Sequence, residues 1–241
     1  MSENNKGNGP IIEGKGYEAD TRGGRPAYGT DSVKTLYDAR YLRLYDLQYS
    51  EGKHYFDASR RTAQELTALK SDEQFRTMLP DAVTIAVVVI RSGESPKLLM
   101  NYEYRYPVGQ YLLSPVAGLI DPEDRETENP LAEAAIREIS EEVGLTVKPE
   151  DKITVINPCA FSSPGMTDES NAFLCAEISI DDTIDVRRDG AVGSELFAGF
   201  ELIDEEEAER LFTSGRDRYG NFFSLATWAV LGYFLRTYGK R

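Results

Sequence analysis

Histidine and cysteine are scarce in this chain of 241 residues, which contains one His and two Cys. With a single histidine, His54, a zinc site built from several imidazoles is excluded, and no second His can activate a serine or cysteine nucleophile. Cys159 and Cys175 stand in the apolar contexts NPCAF and FLCAE without the spacing of metal ligands, so we expect buried structural thiols. Any catalysis must therefore use carboxylates or a metal ion.

Positive charge is also in deficit, because 27 Lys and Arg face 41 Asp and Glu and give a net charge of -14. This balance argues against binding to nucleic acid through its phosphate backbone, and an anionic substrate would need local cations. No apolar run approaches about 20 residues, and the start MSENNKGNGP has neither the basic region nor the apolar run of a signal peptide. We therefore expect no membrane partner and a cytoplasmic location.

The composition changes along the chain and predicts three regions. Residues 1–33 are rich in Gly and polar residues, which predicts a flexible arm. Residues 34–80 alternate apolar and polar side chains, as hairpin strands do, and predict a small β-domain with a short helical excursion between Ala63 and Leu79. Residues 81–241 contain several strand-like apolar runs, such as DAVTIAVVVI, and helical patterns at about 130–143, 205–214 and 224–239.

The order of these patterns predicts an α/β protein. Continuous β-branched runs of strand length are typical of a sheet that is buried on both faces. We therefore expect a mixed β-sheet sandwiched between helices, together with a small antiparallel β-domain at the N-terminus.

The middle helix carries a concentration of acidic residues in the segment REISEEVGL, residues 137–145. Asn129-Pro130 predicts the start of this helix and Gly144 its end. At 3.6 residues per turn, Glu138 and Glu142 lie about 40° apart, beside the apolar stripe that would face the sheet.

Two explanations of this acidic helix remain open. It could be a solvated surface on which Arg137 pairs with Glu133 or Glu141. It could instead be a site for Mg²⁺ or Mn²⁺, because these hard cations prefer carboxylate and carbonyl oxygens.

The segment before the helix favours the metal site. YLLSPVAGLID ends in the turn Ala117-Gly118 and is followed by the acidic segment PEDRETEN, predicted to be a long loop. Together with the helix it resembles the Nudix hydrolase box, which reads Gly, five residues, Glu, seven residues, then Arg-Glu-aliphatic-x-Glu-Glu-x-Gly-aliphatic. Residues 137–145 match the second half at every specified position.

The first half of the box departs from the family pattern. Counted back from Arg137, the place of the early glutamate falls on Asn129, with Glu128 beside it. Ten residues separate Gly118 from Asn129 where the family has five, and an insertion of about five residues in the loop accounts for both departures.

Further segments resemble the ADP-ribose pyrophosphatases of this family. NYEYRYPVGQYLLSPVAGLID contains their Tyr-Arg pair, here Tyr104 and Arg105, ahead of the Ala-Gly-Leu-Ile-Asp turn. SSPGMTDES is similar to their Ser-Pro-Gly loop, in which a glutamate, here Glu169, stands four residues after the Gly. RYLRLYDLQYSEGKHYFDASRR is similar to their small β-domain, which helps to form a homodimer and lends residues to the partner's site. The resemblance covers about residues 35–239, without the stretch Ala63 to Leu79.

The resemblance implies metal-dependent hydrolysis of the pyrophosphate bond of a nucleoside diphosphate derivative, with ADP-ribose cleaved to AMP and ribose 5-phosphate. The implied ligands of Mg²⁺, or alternatively Mn²⁺, are Glu138, Glu142, Glu141 and the carbonyl of Ala117. The implied substrate-binding residues are Arg105, Arg60, Arg61 and Gly118. The implied catalytic residues are Glu169, Glu141 and Arg137. Glu169 would act as the general base, and Arg137 would orient Glu141 or its neighbours.

Other functions remain open on the sequence. The same box would serve a nucleotide-sugar or dinucleotide pyrophosphatase, since it recognises the diphosphate rather than the groups on either side. A Nudix fold that senses ADP-ribose without cleaving it is the alternative from another class, although no basic helix-turn-helix pattern follows residue 180. A purely structural acidic protein is the third possibility, in which Arg105, Arg60, Arg61 and Glu169 would be ordinary surface or strand-end residues.

Overall fold

The computed structural model of the protein describes Pro26 and residues 29–180 and 196–239. Its N-terminal part is a three-stranded antiparallel sheet in which the strand order follows the chain, with β1 (Val33–Asp38), β2 (Arg43–Ser50) and β3 (Lys53–Ser59). The alternating segments predicted as hairpin strands therefore form three strands. Most of the arm predicted for residues 1–33 lies outside the described residues, and β1 begins at its last position, Val33.

The excursion predicted between Ala63 and Leu79 contains a 3-10 turn, Thr67–Leu69, and one short α-helix, α1 (Asp72–Thr77). Ser71 caps it, because its hydroxyl accepts a hydrogen bond from the amide of Gln74. Ahead of this helix, Leu66 packs with Tyr45 and Leu47 of β2 and forms the small core of the N-terminal unit. We use "N-terminal unit" for residues 33–79.

The larger sheet has seven strands within the described residues. Their hydrogen-bonded order is β10-β5-β4-β9-β8, while β6 pairs with β5 and β7 pairs with β4. Strands β4 and β9 are parallel, and the other pairs of the sheet are antiparallel. The strands are β4 (Ala82–Ile90), β5 (Lys97–Arg105), β6 (Gln110–Ser114), β7 (Val116–Leu119), β8 (Lys152–Phe161), β9 (Ser170–Ser179) and β10 (Phe197–Ile203).

Helices cover both faces of this sheet, as predicted. They are α2 (Pro122–Arg125), α3 (Pro130–Glu138), α4 (Glu205–Ser214) and α5 (Leu225–Tyr238). One core lies between α3 and the sheet, where Ala135 packs with Val83 and Ile85. The other lies between α4, α5 and the opposite face, where Phe234 packs with Val88. Because both faces are covered, every residue of β4 except its last is buried.

The two cysteines are free thiols. Cys175 is buried in the α5 layer, whereas Cys159 is half-buried, and burial raises the pKa of both thiols. Among the described residues, no helix has the length and hydropathy needed to cross a bilayer.

Candidate active site

The larger sheet forks along one edge of β4. The first half of β4, Ala82–Ile85, pairs with β7, and the second half, from Val87 to Val89, pairs with β5. From Asn101 onward β5 leaves β4 and pairs with β6 instead. Helix α3 lies over this fork, because its end contacts β7 and the turn that follows it contacts β5.

The helix that carries the acidic segment has the predicted extent, but its cap and its last turn differ from the prediction. It begins at Pro130, although the side chain of Asn129 makes no capping hydrogen bond. After Glu138 the chain continues through one π-helical turn, Ile139–Val143, and ends at Gly144, whose φ of 71° lies in the left-handed region. Single π turns inside helices are common at functional sites, because they change the direction in which side chains point.

Glu138 lies directly over Gly118 of β7. The side chain of Glu138 is almost fully buried, and a Cβ built on Gly118 would fall 1.8 Å from its Oε1 atom. Only glycine leaves room for the carboxylate at this point. The structure therefore brings Glu138 and Gly118 together, with Ala117 next to Gly118 in β7, and the metal-binding and substrate-binding roles of these residues stay predictions.

Glu142 is held at the other arm of the fork, by a residue that the sequence did not suggest. Its carboxylate accepts a hydrogen bond of 3.0 Å from Nδ2 of Asn101, and both residues are buried. The Oδ1 atom of Asn101 is buried and has no hydrogen-bond partner. Asn101 lies 41 residues before Glu142, so no local pattern could have linked the two.

Arg137 joins the acidic residues around the fork. It donates to Glu138 at 2.7 Å, to Glu141 at 3.2 Å, to Asp124 at 2.8 Å and to the carbonyl of Leu119 at 2.7 Å. Burial by itself would lower the pKa of Arg137, but its hydrogen bond to the carboxylate of Asp124 and the charge of Glu138 raise this pKa above its usual value. Arg137 therefore stays charged and fixes the carboxylates relative to β7.

Asp124 corrects the interpretation of the segment between Gly118 and Asn129. This segment is not a long loop throughout, because Pro122–Arg125 forms helix α2. Asp124 is buried and follows Gly118 after five residues, which is the spacing of the early glutamate in the family pattern. Glu128 is exposed. The insertion therefore lies between Asp124 and Arg137, and Asp124 rather than Glu128 provides the acidic side chain that contacts the box arginine.

Arg105 ends β5 at the mouth of the fork. Its guanidinium pairs with Glu103 at 2.5 Å, and its side chain is 44% exposed while that of Glu103 is 12% exposed. Arg105 is therefore accessible to an anion from solvent, and its role in binding phosphate stays a prediction.

Glu169 approaches the fork from the opposite edge of β4. The amide of Ile120 donates to the carbonyl of Asp81, and the amide of Asp81 donates to the carbonyl of Ser170. Ile120 directly follows β7, Asp81 directly precedes β4 and Ser170 begins β9, so Ser170 lies two strand spacings, about 10 Å, from Ile120. Glu169 directly precedes Ser170 in the chain, and its role as general base stays a prediction.

Arg60 and Arg61 reach this region from the N-terminal unit. Arg60 donates from Nε to Oε1 of Glu169 at 2.7 Å. Arg61 is 10% exposed in its side chain and pairs with Asp81 at 2.9 Å, where the unit meets the larger sheet. Burial raises the pKa of Asp81, and the charge of Arg61 opposes this effect. The predicted contacts of both arginines with substrate stay predictions.

The ligand atoms available around the fork are oxygens, the type that a hard divalent cation prefers. Two buried carboxylates, Glu138 and Glu142, stand beside the orphaned Oδ1 of Asn101 and the room left by Gly118. Across the described parts of the chain, no three His, Cys, Asp or Glu side chains converge closely enough to form a metal cluster. Arg137 lies between Glu138 and Glu141 and Asn101 binds Glu142, which keeps the three glutamates apart.

The amino-acid sequence is similar to that of a Nudix hydrolase. An uncharacterised Nudix hydrolase of Schizosaccharomyces pombe is 32% identical to the chain over 100 residues, which are 42% of this chain and 44% of that protein. The likeness to Nudix hydrolases is confirmed. The chain thus matches less than half the length of that relative. No protein-family model matches the chain.

Solved structures support the fold. The crystal structure of an ADP compounds hydrolase superposes with a TM-score of 0.50 and 17% identity, and the match covers 87% of this chain and 94% of that one. A Caenorhabditis elegans Ap4A hydrolase, solved as a binary complex, matches with a TM-score of 0.40 and 18% identity over 64% of this chain and 96% of its own. At these identities the likeness concerns the fold alone. The predicted Nudix fold with a small N-terminal sheet is confirmed.

Proposed function

We propose that the protein hydrolyses the pyrophosphate bond of a nucleoside diphosphate derivative. The observation that carries this proposal is the arrangement at the fork, where Arg137 joins Glu138, Glu141 and Asp124 over the glycine of β7. The Nudix relative from Schizosaccharomyces pombe supports the same reaction class.

The reaction needs a divalent cation, with Mg²⁺ as the proposed ion and Mn²⁺ as its substitute. Glu138, Glu142 and the carbonyl of Ala117 would hold it, and Glu141 would bind a second ion or a water of the first. When bound, such an ion neutralises charge on the phosphate oxygens and lowers the pKa of water. Arg137 keeps the carboxylates in place by its hydrogen bonds, and Asp124 keeps Arg137 in place.

Residues around the fork bind the substrate and move the proton. Arg105, exposed at the end of β5, binds a phosphate of the substrate, since a guanidinium matches phosphate oxygens. Glu169 accepts a proton from the attacking water. The oxygen of that water forms a bond to one phosphorus, the P–O bond of the anhydride breaks, and the released phosphate oxygen leaves with its electron pair.

ADP-ribose is the proposed substrate, with AMP and ribose 5-phosphate as products. This choice rests on the resemblance of the segments around Arg105 and Glu169 to ADP-ribose pyrophosphatases. A nucleotide sugar or a dinucleotide is the second candidate, because residues of the fork would recognise the same diphosphate. A protein that binds ADP-ribose without cleaving it is the third.

A substrate screen tests the proposal. ADP-ribose, nucleotide sugars, dinucleotides and nucleoside triphosphates would each be incubated with the protein in Mg²⁺ and in Mn²⁺, and products would be resolved by ion-exchange chromatography. We expect AMP and ribose 5-phosphate from ADP-ribose, only in the presence of metal. Binding of ADP-ribose by calorimetry without turnover of any compound would overturn the hydrolase and favour the sensor.

We also propose that the protein is a homodimer that joins through the outer face of its N-terminal sheet. Tyr37 and Leu44 are paired across β1 and β2, and with Phe56 of β3 they expose apolar area on this face, with exposed fractions of 59%, 37% and 56%. Exposed apolar patches of this kind mark interaction surfaces. The double variant Tyr37→Ser/Phe56→Ser should run as a monomer in light scattering, whereas Leu225→Ser, at the start of α5, should not. A monomeric wild-type protein at micromolar concentration would contradict the dimer.

A further inference from the structure

Two adjacent arginines after β3 contact three consecutive residues, namely the last two of the loop that precedes β9 and the first residue of β9. Arg61 donates to the carbonyl of Asp168 at 2.9 Å and to the hydroxyl of Ser170 at 3.1 Å. Arg60 donates to the carboxylate of Glu169, the residue between them, at 2.7 Å. Each residue of this short segment is thus held by a guanidinium from the N-terminal unit.

The same loop lies along β3 as though it were a short extra strand. The hydroxyl of Tyr55 donates to the carbonyl of Gly165 at 2.8 Å, and the amide of Ala58 donates to the carbonyl of Met166 at 3.0 Å. Ala58 and Thr167 form an isolated parallel bridge. The N-terminal unit therefore determines where this loop stands relative to the larger sheet.

The two arginines differ in their surroundings, which separates their roles. Arg61 is 10% exposed, pairs with the buried Asp81 and the half-buried Asp168, and donates to the carbonyl of Asp168, so it fixes the backbone of the loop. Arg60 is 38% exposed, and its partner Glu169 is 28% exposed. A long carboxylate side chain on an irregular loop has many rotamers, and this partly exposed ion pair selects one of them.

We propose that Arg60 is a positioning residue that acts through Glu169. Its hydrogen bond holds the proton-accepting carboxylate of Glu169 within hydrogen-bond reach of the attacking water. This inference rests on the proposed function, in which Glu169 is the general base. It gives Arg60 a role different from direct contact with substrate phosphate. The two roles predict different kinetics, because lost positioning lowers kcat whereas lost substrate binding raises KM.

The test compares Arg60→Gln, Arg60→Lys, Glu169→Gln and the double variant Arg60→Gln/Glu169→Gln in ADP-ribose hydrolysis with Mg²⁺. Arg60→Gln should lower kcat about 10-fold to 100-fold and leave KM within about twofold, because small misplacements of catalytic groups have effects of this size. Arg60→Lys should recover part of kcat. The double variant should be no slower than Glu169→Gln alone. Arg76→Gln, which removes an exposed arginine of α1, is the matched control and should behave as wild type.

Three results would overturn the proposal: a raised KM with unchanged kcat in Arg60→Gln, a further loss in the double variant, or full activity of Glu169→Gln. NMR relaxation of the Glu169 side chain in the ligand-free protein provides a measurement that does not depend on turnover. The Glu169 side chain should be more mobile in Arg60→Gln than in wild type and in Arg76→Gln, because its ion pair with Arg60 is lost, and equal mobility would also overturn the proposal. If the wild-type protein hydrolyses no substrate, the proposed function fails, while the relaxation measurement still decides whether Arg60 holds the Glu169 carboxylate.

Discussion

Replacement of Gly118 by alanine places a methyl group against the carboxylate of Glu138 in the candidate active site. The added Cβ would lie 1.8 Å from Oε1 and 1.9 Å from Cδ of Glu138. Nonbonded heavy atoms separate to about 3.5 Å, so the carboxylate would have to retreat by about 1.7 Å. Glu138 is buried and bonded to Arg137, and it cannot move so far without losing that hydrogen bond.

The expected effects of Gly118→Ala follow from this displacement. A shift of about 1 Å in a catalytic group can cost about 100-fold in rate, so kcat/KM for ADP-ribose should fall at least that far. Overpacking should lower the free energy of unfolding by about 1–3 kcal/mol, which a urea titration would measure. Gly29→Ala is the control, because its Cβ would meet only Asp31, at 4.0 Å. Wild-type kcat/KM in a normally folded Gly118→Ala protein would refute the position assigned to Glu138.

Two further predictions concern buried acids. Asp124→Asn weakens a charge-assisted hydrogen bond to Arg137, so it should destabilise the protein by about 1.5–3 kcal/mol and slow hydrolysis, whereas Glu128→Gln should do neither; equal effects of the two variants would contradict the assignment. Burial and the charge of Asp168 raise the pKa of Asp57 from 3.8 to about 6, so ionisation of Asp57 destabilises the folded protein. Up to about 3 kcal/mol of the free energy of unfolding is therefore present below about pH 4 and is lost as the pH rises through 6. Asp57→Asn should therefore be more stable than wild type at pH 8 but not at pH 4, and parallel stability curves from urea titrations would refute this.

The local parts of the fold could be predicted from the sequence. The apolar run that became β4 and the acidic helix that begins at Pro130 each carry their own periodicity, so their type and approximate bounds follow from the chain itself. The segment between Gly118 and Asn129 could not be resolved in this way. Counting back from Arg137 crosses the insertion, and only the contact of Asp124 with Arg137 indicates on which side of Asp124 the extra residues lie.

The long-range contacts of the candidate site could not be predicted from the sequence, for a different reason. Asn101 is separated from Glu142 by 41 residues and Arg60 from Glu169 by 109, and pattern within a strand or helix holds no information about such pairs. The departure of β5 from β4, which opens the fork, also depends on the pairing of β5 with β6 rather than on the composition of β5. The resemblance supplied the residue types of the site, and the topology supplied their partners.

The measurement that most directly tests metal-dependent hydrolysis at the fork is the product analysis of ADP-ribose incubated with wild type and with Glu142→Gln in Mg²⁺. The substitution keeps the size of the side chain and its place beside Asn101, so the melting temperatures should be similar. We predict AMP and ribose 5-phosphate from the wild-type protein, no turnover without metal, and a loss of at least about 100-fold in the variant. An undiminished rate in Glu142→Gln, or a wild-type rate that is independent of divalent metal, would contradict the account.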